Sequence, residues 1–187
     1  MTPLVPDDEI RAAAFAHVQR LRDLYGGRIP RLELSAGVTI RGERVPIWNY
    51  QKGIHKPAAL GPGGAALSVQ TSAESPYADA HDPDAGHFIY KYRGTDPTQA
   101  DNVALRNAML RQRPLLYLVA VDPGVYEAIF PVYVTGDEPA RLQFTLMADQ
   151  VIAPVAANDA VVTSVRREYV TRGDAAAAPA AVGAPAQ

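Results

Sequence analysis

Three apolar runs crowd the stretch from residue 114 to 148: "PLLYLVAV", "VYEAIFPVYVTG" and "RLQFTLMA", separated by "DPG" and "GDEPA". Each run is rich in β-branched and aromatic residues. The separators hold Pro, Asp and Gly, whose backbone preferences make turns. Pro131 lacks the N–H that a ladder needs, so the strand carrying it is expected to be an edge strand or bulged. Upstream, "VTIRGERVPIW" reads as a hairpin with Gly42 in its turn. "ALSVQTS" and "HFIYKYRG" read as two further strands, the second alternating Phe88, Tyr90 and Tyr92 against His87, Ile89 and Lys91.

Two helices complete the pattern. Residues 7–25 place Ile10, Ala14, Val18, Leu21 and Tyr25 three or four apart, with Asp7 or Asp8 available as a cap after Pro6 and "GG" as the stop. That face is expected to dock on the domain or on a partner helix. Residues 98–112 put Val103, Leu105, Ala108 and Met109 on one side, with Asp101 or Asn102 as a cap. Short strands with two or three helices predict an α+β fold, a curved sheet or open barrel. Residues 51–66 read as loop, and "GDAAAAPAAVGAPAQ" as a disordered tail or linker, too poor in large apolar groups to order itself. At 187 residues, 48% of them apolar, the chain suits one domain of about 150 residues plus its ends.

The absence of cysteine excludes disulfides, thiolate zinc sites, Cys nucleophiles and iron–sulfur clusters. The N-terminus has no signal-peptide pattern and no apolar stretch is long enough to span a bilayer, so a soluble cytoplasmic protein is expected. A net charge of −2 speaks against a nucleic-acid binder, but the charge is unevenly spread. Residues 20–60 hold eight Arg or Lys against three acids, and residues 102–118 add Arg106, Arg111 and Arg113, whereas residues 122–159 hold six acids against Arg141 alone. A basic face is therefore compatible with an acidic total, as are ordinary solvated faces.

Catalytic signatures are missing: there is no G-x-S-x-G, no phosphate-binding G-x-x-x-x-G-K-[ST], and "GPGGAA" lacks a dinucleotide loop's strand–turn–helix setting. Of the histidines, His17 sits in the first helix, and "HDPDAGH" from His81 to His87 reads as a connecting turn, so no cofactor or metal is expected. What remains is Tyr77, Asp79, Tyr90, Tyr92, Arg93 and Asp96 within one short run. Rings can stack on a base and an Asp can accept from an exocyclic amine, which together make a base pocket. The alternative is a set of cross-strand Tyr pairs and turn-forming Asp residues.

The run "SVQTSAESPYADAHDPDAGHFIYKYRGTD" resembles the core of the SRA domain, a PUA-like reader of 5-modified cytosine. "DNVALRNAM" and "RPLLYLV" are similar to the helix and strand that follow in that family. "GERVPI", "QKGIHKP", "TSAESPYAD", "YKYRGTDP", "PLLYL" and "RREYVTR" also resemble the N-terminal SRA-like domain of actinobacterial HNH endonucleases, so the likeness runs from Gly42 to Arg172.

Periodicity and composition mark residues 1–28 as an N-terminal amphipathic helix and 173–187 as a tail, and the resemblance implies 29–172 as an SRA-like reading domain. It implies duplex DNA as partner, a flipped base between Tyr77 and Tyr92, and Asp79 reading the cytosine edge, with Asp82 as fallback. Thr71, Ser72, Arg93, Gly94 and Asp96 complete the pocket. Arg93 stands where the family has a small residue beside the 5-substituent, which suggests a polar substituent or a phosphate contact. Arg41, Arg44, Gln51, Lys52, His55 and Lys56 are the expected backbone or groove contacts. The HNH nuclease residues are not in this sequence, so the chain is expected to be a reader, not an enzyme, working with a nuclease domain or partner. A PUA-like RNA- or protein-binding module is the alternative, and an enzyme acting on a base or nucleoside a further one.

Overall fold

The structure is a computed structural model, and it describes residues 5–71, 81–82 and 86–149. All of these fall in one compact unit, Met1–Gln150; a second unit, Val151–Gln187, lies outside the described residues, as does the expected boundary at residue 172.

Helix α1 (Asp7–Leu24) is followed by strand β1 (Ile29–Pro30), helix α2 (Arg31–Ala36) and the hairpin β2 (Val38–Ile40) and β3 (Glu43–Val45). Strand β4 (Ile54–His55), a short 3-10 turn at Ala58–Leu60, β5 (Ser68–Thr71), β6 (His81–Asp82) and β7 (His87–Lys91) come next. Helix α3 (Ala100–Leu110) then leads into β8 (Leu115–Asp122), β9 (Val125–Glu138) and β10 (Gln143–Ala148). Eight strands form one sheet in the order β4-β5-β8-β9-β10-β7-β6, with β1 paired to β9; only β5 and β8 run parallel. This is an α+β fold with a mixed sheet. Arg41 and Gly42, both at positive φ, make the β2–β3 turn where the sequence places it.

The first of the three apolar runs is continuous because its strand is covered on both sides. In β8, Leu116 and Leu118 join a core with Ile10, Ala14, Val18 and Leu21 of α1, while Leu115 and Tyr117 join another with Leu105 and Ala108 of α3. A strand buried on both faces reads as a continuous apolar run, and each fully buried Leu contributes about 2 kcal/mol. Pro131 does not mark an edge strand: β9 lies between β8 and β10, and the register slips between the Leu115↔Val132 and Tyr117↔Ile129 pairs. The bulge changes the parity of the strand. Ala128 faces the α1 core, whereas Val132 and Val134 face the α3 core.

Other expectations need correction. Pro6, not Asp7 or Asp8, is the N-cap position of α1, with no side-chain cap. Asp7 instead pairs with the buried Arg11 at 2.9 Å and with Arg113 at 3.1 Å, and Asp8 pairs with Arg113. Arg11 Nη1 also donates to the Pro114 carbonyl at 2.6 Å, so the start of α1 is fixed beside the start of β8. In α3 the cap is Gln99, whose side chain accepts from the Asp101 N–H, and Asn102 is freed for another task. "GDEPA" is only partly a turn, because Gly136–Glu138 continue β9 and the reversal comes at Pro139–Leu142. β1 and α2 have no counterpart in the sequence reading.

The sheet curls on itself. β5 and β7 are separated in the sheet by β8, β9 and β10, yet the Tyr90 hydroxyl on β7 donates to the Gln70 carbonyl on β5 at 3.0 Å. Phe88 and Tyr117 meet edge to face at 4.9 Å, and Tyr90 and Tyr117 at 6.5 Å, across the same interior. Burial, then the neighbouring Tyr117, pushes the Tyr90 phenol far above its ordinary range, so it remains a donor.

Candidate nucleic-acid interface

Strand β7 ends by sending Tyr92 inward. Its ring lies 4.6 Å from Phe144, and its hydroxyl donates to Asp137 Oδ1 while accepting from Arg106 Nη2 at 3.0 Å. Arg106 closes the network with Nε on Asp137 Oδ2 at 2.6 Å and Nη1 on the Pro97 carbonyl at 3.1 Å. Burial and then the Asp137 hydrogen bond raise the Tyr92 phenol, and the same carboxylate raises the Arg106 guanidinium. Tyr92 is only 7% exposed.

The residues after Tyr92 are held by Asn102, which is fully buried. Its Oδ1 accepts from the Arg93 N–H at 2.8 Å, and its Nδ2 donates to the carbonyls of Arg93 at 3.1 Å and Asp96 at 2.9 Å. One side chain thereby satisfies three loop groups that have no ladder partner. Gly94 sits within this clamp at φ +66°, a conformation that suits glycine. Asp96 Oδ1 accepts from the Thr98 hydroxyl at 2.7 Å and its N–H at 2.8 Å, and those bonds lower its carboxyl pKa. The Arg93 guanidinium turns outward to pair with Asp101. Asn102 was legible only as a helix cap; that it is an amide three residues past the cap and points back at the loop is visible only in three dimensions.

Thr71 ends β5. Ser72, Tyr77 and Asp79 lie outside the described residues. Asp82 pairs with His87 in the β6–β7 ladder.

The expected backbone contacts divide into two groups. Arg41 is bound to Glu9 through two hydrogen bonds of 3.1 and 2.5 Å, and Arg44 donates to the carbonyls of Ala36, at 2.7 Å, and Ser35 at the end of α2. Lys56 donates to the Gly61 carbonyl. His55, expected at a groove, is buried with Nε2 3.0 Å from the Pro46 carbonyl; burial lowers its pKa and favours the neutral ring. Gln51 and Lys52 are exposed. Internal pairing also uses Arg28, with Asp122, so the basic face is smaller than its sequence count. Among the described residues, Arg20, Arg22, Arg31, Arg44, Arg111, Lys52, Lys56 and Lys91 have no carboxylate at ion-pair distance.

Gln51 and Lys52 belong to a loop that the sequence reading left unorganised. Gln70 braces it: Oε1 accepts from Trp48 Nε1, Nε2 donates to the Tyr50 carbonyl at 2.8 Å and the Asn49 carbonyl at 3.3 Å, and its N–H donates to the Gly53 carbonyl at 2.8 Å. A Cβ on Gly53 would lie 2.8 Å from the Tyr90 hydroxyl, so the loop rests directly on the curled interior. Tyr50 projects from it, 55% exposed, with the Arg31 guanidinium 5.3 Å from its ring centre.

Against this geometry stand the comparisons. No family model matches the chain, and no curated protein matches it. A solved structure does match: the SRA domain of SUVH5 in complex with hemi-methylated CG DNA. The identity is 16%, the match covers 54% of this chain and 74% of that one, and the TM-score is 0.37, which supports no residue-by-residue correspondence. No described helix is long and apolar enough to cross a membrane, and no described group of three His, Asp or Glu residues is arranged to hold a metal ion.

Proposed function

We propose that this chain reads duplex DNA containing 5-modified cytosine, either 5-methyl- or 5-hydroxymethylcytosine, by extruding the base into an aromatic and acidic pocket. Tyr77 and Tyr92 are its rings, Asp79 accepts from the cytosine amine, with Asp82 as fallback, and Thr71, Ser72, Gly94 and Asp96 shape its walls. Arg93 stands at its mouth, where a long donor favours a polar substituent or a phosphate. The chain acts as a reader and not as an enzyme, the recognition part of a modification-dependent restriction system whose cleavage comes from a nuclease domain or partner.

The observation that carries this reading is the curl of the sheet. The Tyr90–Gln70 hydrogen bond brings β5, whose end leads into the segment with Tyr77 and Asp79, against β7, whose end delivers Tyr92, Arg93 and Gly94. Extruding a base costs a few kcal/mol of stacking and pairing, which ring contacts and edge hydrogen bonds must recover. Tyr92 is 7% exposed, with Phe144 and the Arg106 guanidinium already against its ring, so a base stacks on it only where one of these contacts gives way. Lys52 is the expected backbone contact best placed to hold phosphate, since Arg41 and Arg44 are engaged within the fold.

Gel-shift titrations with otherwise identical duplexes carrying cytosine, 5-methylcytosine or 5-hydroxymethylcytosine test the reading. At least one modified duplex binds more tightly than the unmodified one, and Asp79→Ala removes the difference. Equal affinity for all three, or tighter binding of unmodified RNA, would contradict it.

A further inference from the structure

Tyr50 is the largest aromatic surface that the described residues leave to solvent, and its setting is not that of a casual surface residue. Its backbone is fixed. Besides the Gln70 brace, the Gln51 N–H donates to Asn49 Oδ1 at 2.9 Å and the Lys52 N–H donates to the Asn49 carbonyl at 3.1 Å. Gln51 Nε2 donates to the Tyr50 hydroxyl at 3.0 Å, and the Trp48 ring centre lies 6.4 Å away. Arg31, across the ring, is held by its own N–H on the Gly124 carbonyl at 2.8 Å and borders an open depression lined with Pro30, Leu32, Pro123 and Gly124.

We infer that Tyr50 and Arg31 form a second DNA contact, a ring–guanidinium platform that stacks on an unstacked base beside the extruded nucleotide, with Lys52 on the adjoining phosphate. The inference rests on the DNA-reading function proposed above. Three observations carry it. An exposed ring with two cations, Arg31 and Lys52, that have no carboxylate partner among the described residues matches the chemistry of a base and its phosphate. The loop backbone is ordered before any ligand arrives, so little ordering cost opposes binding. The brace converges on Gln70, and the chain one residue later leaves β5 for the segment bearing Tyr77 and Asp79. Platform and proposed pocket thus spring from one strand end, and a base leaving the stack exposes neighbouring faces that an aromatic group can cover.

The chain supplies its own reporter, because Trp48 is the single tryptophan and touches the platform. The test titrates the full chain and its Tyr50→Ala, Tyr50→Phe and Arg31→Ala variants with a duplex carrying one 5-methylcytosine and with its unmodified twin. Affinity and Trp48 emission are both recorded. In the unaltered chain, emission changes with DNA occupancy. Tyr50→Ala weakens binding to the 5-methylcytosine duplex by roughly ten-fold, the range of one base–ring stack, and weakens binding to the unmodified twin less. Tyr50→Phe keeps most of the affinity, and Arg31→Ala falls between. Unchanged affinity in Tyr50→Ala, with Trp48 emission indifferent to DNA, would overturn the platform while leaving the base pocket standing. Equal affinity of the unaltered chain for both duplexes, with the Tyr50→Ala loss retained, would overturn the modified-base reading and spare the platform. Absence of DNA binding would remove both.

Discussion

The loop carrying Tyr50 and the strand end carrying Tyr92 are both wired by side-chain hydrogen bonds, yet one ring is 55% exposed and the other 7%. Gln70 holds the first by the backbone and leaves the side chain outside. Asp137 and Arg106 hold the second by its hydroxyl and keep the ring inside against Phe144. Where a hydrogen-bond network grips the main chain, the side chain is left for a ligand. Where it grips the side chain, that residue is committed to the fold, and a ligand must share it.

The largest effect expected from breaking this arrangement is at Asp137. Asp137→Ala leaves a partly buried guanidinium and a buried phenol without their acceptor, which costs about 3 kcal/mol in urea unfolding, the lower end for a broken buried pair. A loss below the roughly 1 kcal/mol of an exposed pair would mean that solvent replaces the carboxylate. On the other side of the comparison, Gly53→Ala forces its new methyl against the Tyr90 hydroxyl and destabilises by about 1–3 kcal/mol. Tyr90→Phe removes the obstructing oxygen, so the double variant loses less than the two single variants together, a coupling that a double-mutant cycle measures.

A smaller effect distinguishes the loop by pH. The His55 pKa is lowered in the fold by burial, so below the ordinary imidazole value of 6.5 the unfolded chain takes up a proton that the folded chain resists. Stability is therefore full above that value and declines as pH falls through the window below it, toward the folded pKa. His55→Gln flattens this part of the Tm–pH profile. His17, whose pKa burial also lowers, serves as the control, and an unchanged profile in His55→Gln would show that His17 carries the dependence.

Much of the fold was legible because its signals are local. The period of α1, the turn at Gly42, the alternation of Phe88, Tyr90 and Tyr92, and the strand character of residues 115–148 all follow from neighbours in sequence. Pro131 was legible as a bulge, but its central place was not, because sheet order depends on distant pairings. The basic face was overestimated for the same reason. Arg28, Arg41 and Arg113 meet partners far away in sequence, and no count of charges along the chain reveals them. Gln70 escaped notice and Asn102 was legible only as a cap, because an amide that wires a loop has no sequence signature. Tyr77 and Asp79 remain expectations of sequence alone.

Side-by-side comparison of Tyr50→Ala and Tyr92→Phe tests the division between the two rings most directly, with the urea midpoint and the affinity for a 5-methylcytosine duplex measured on each. Tyr50→Ala keeps the midpoint of the unaltered chain and binds more weakly, whereas Tyr92→Phe, which lacks only the hydroxyl shared by Asp137 and Arg106, lowers the midpoint. A Tyr50→Ala variant that loses stability and keeps its affinity, or a Tyr92→Phe variant that unfolds where the unaltered chain does, would contradict that division.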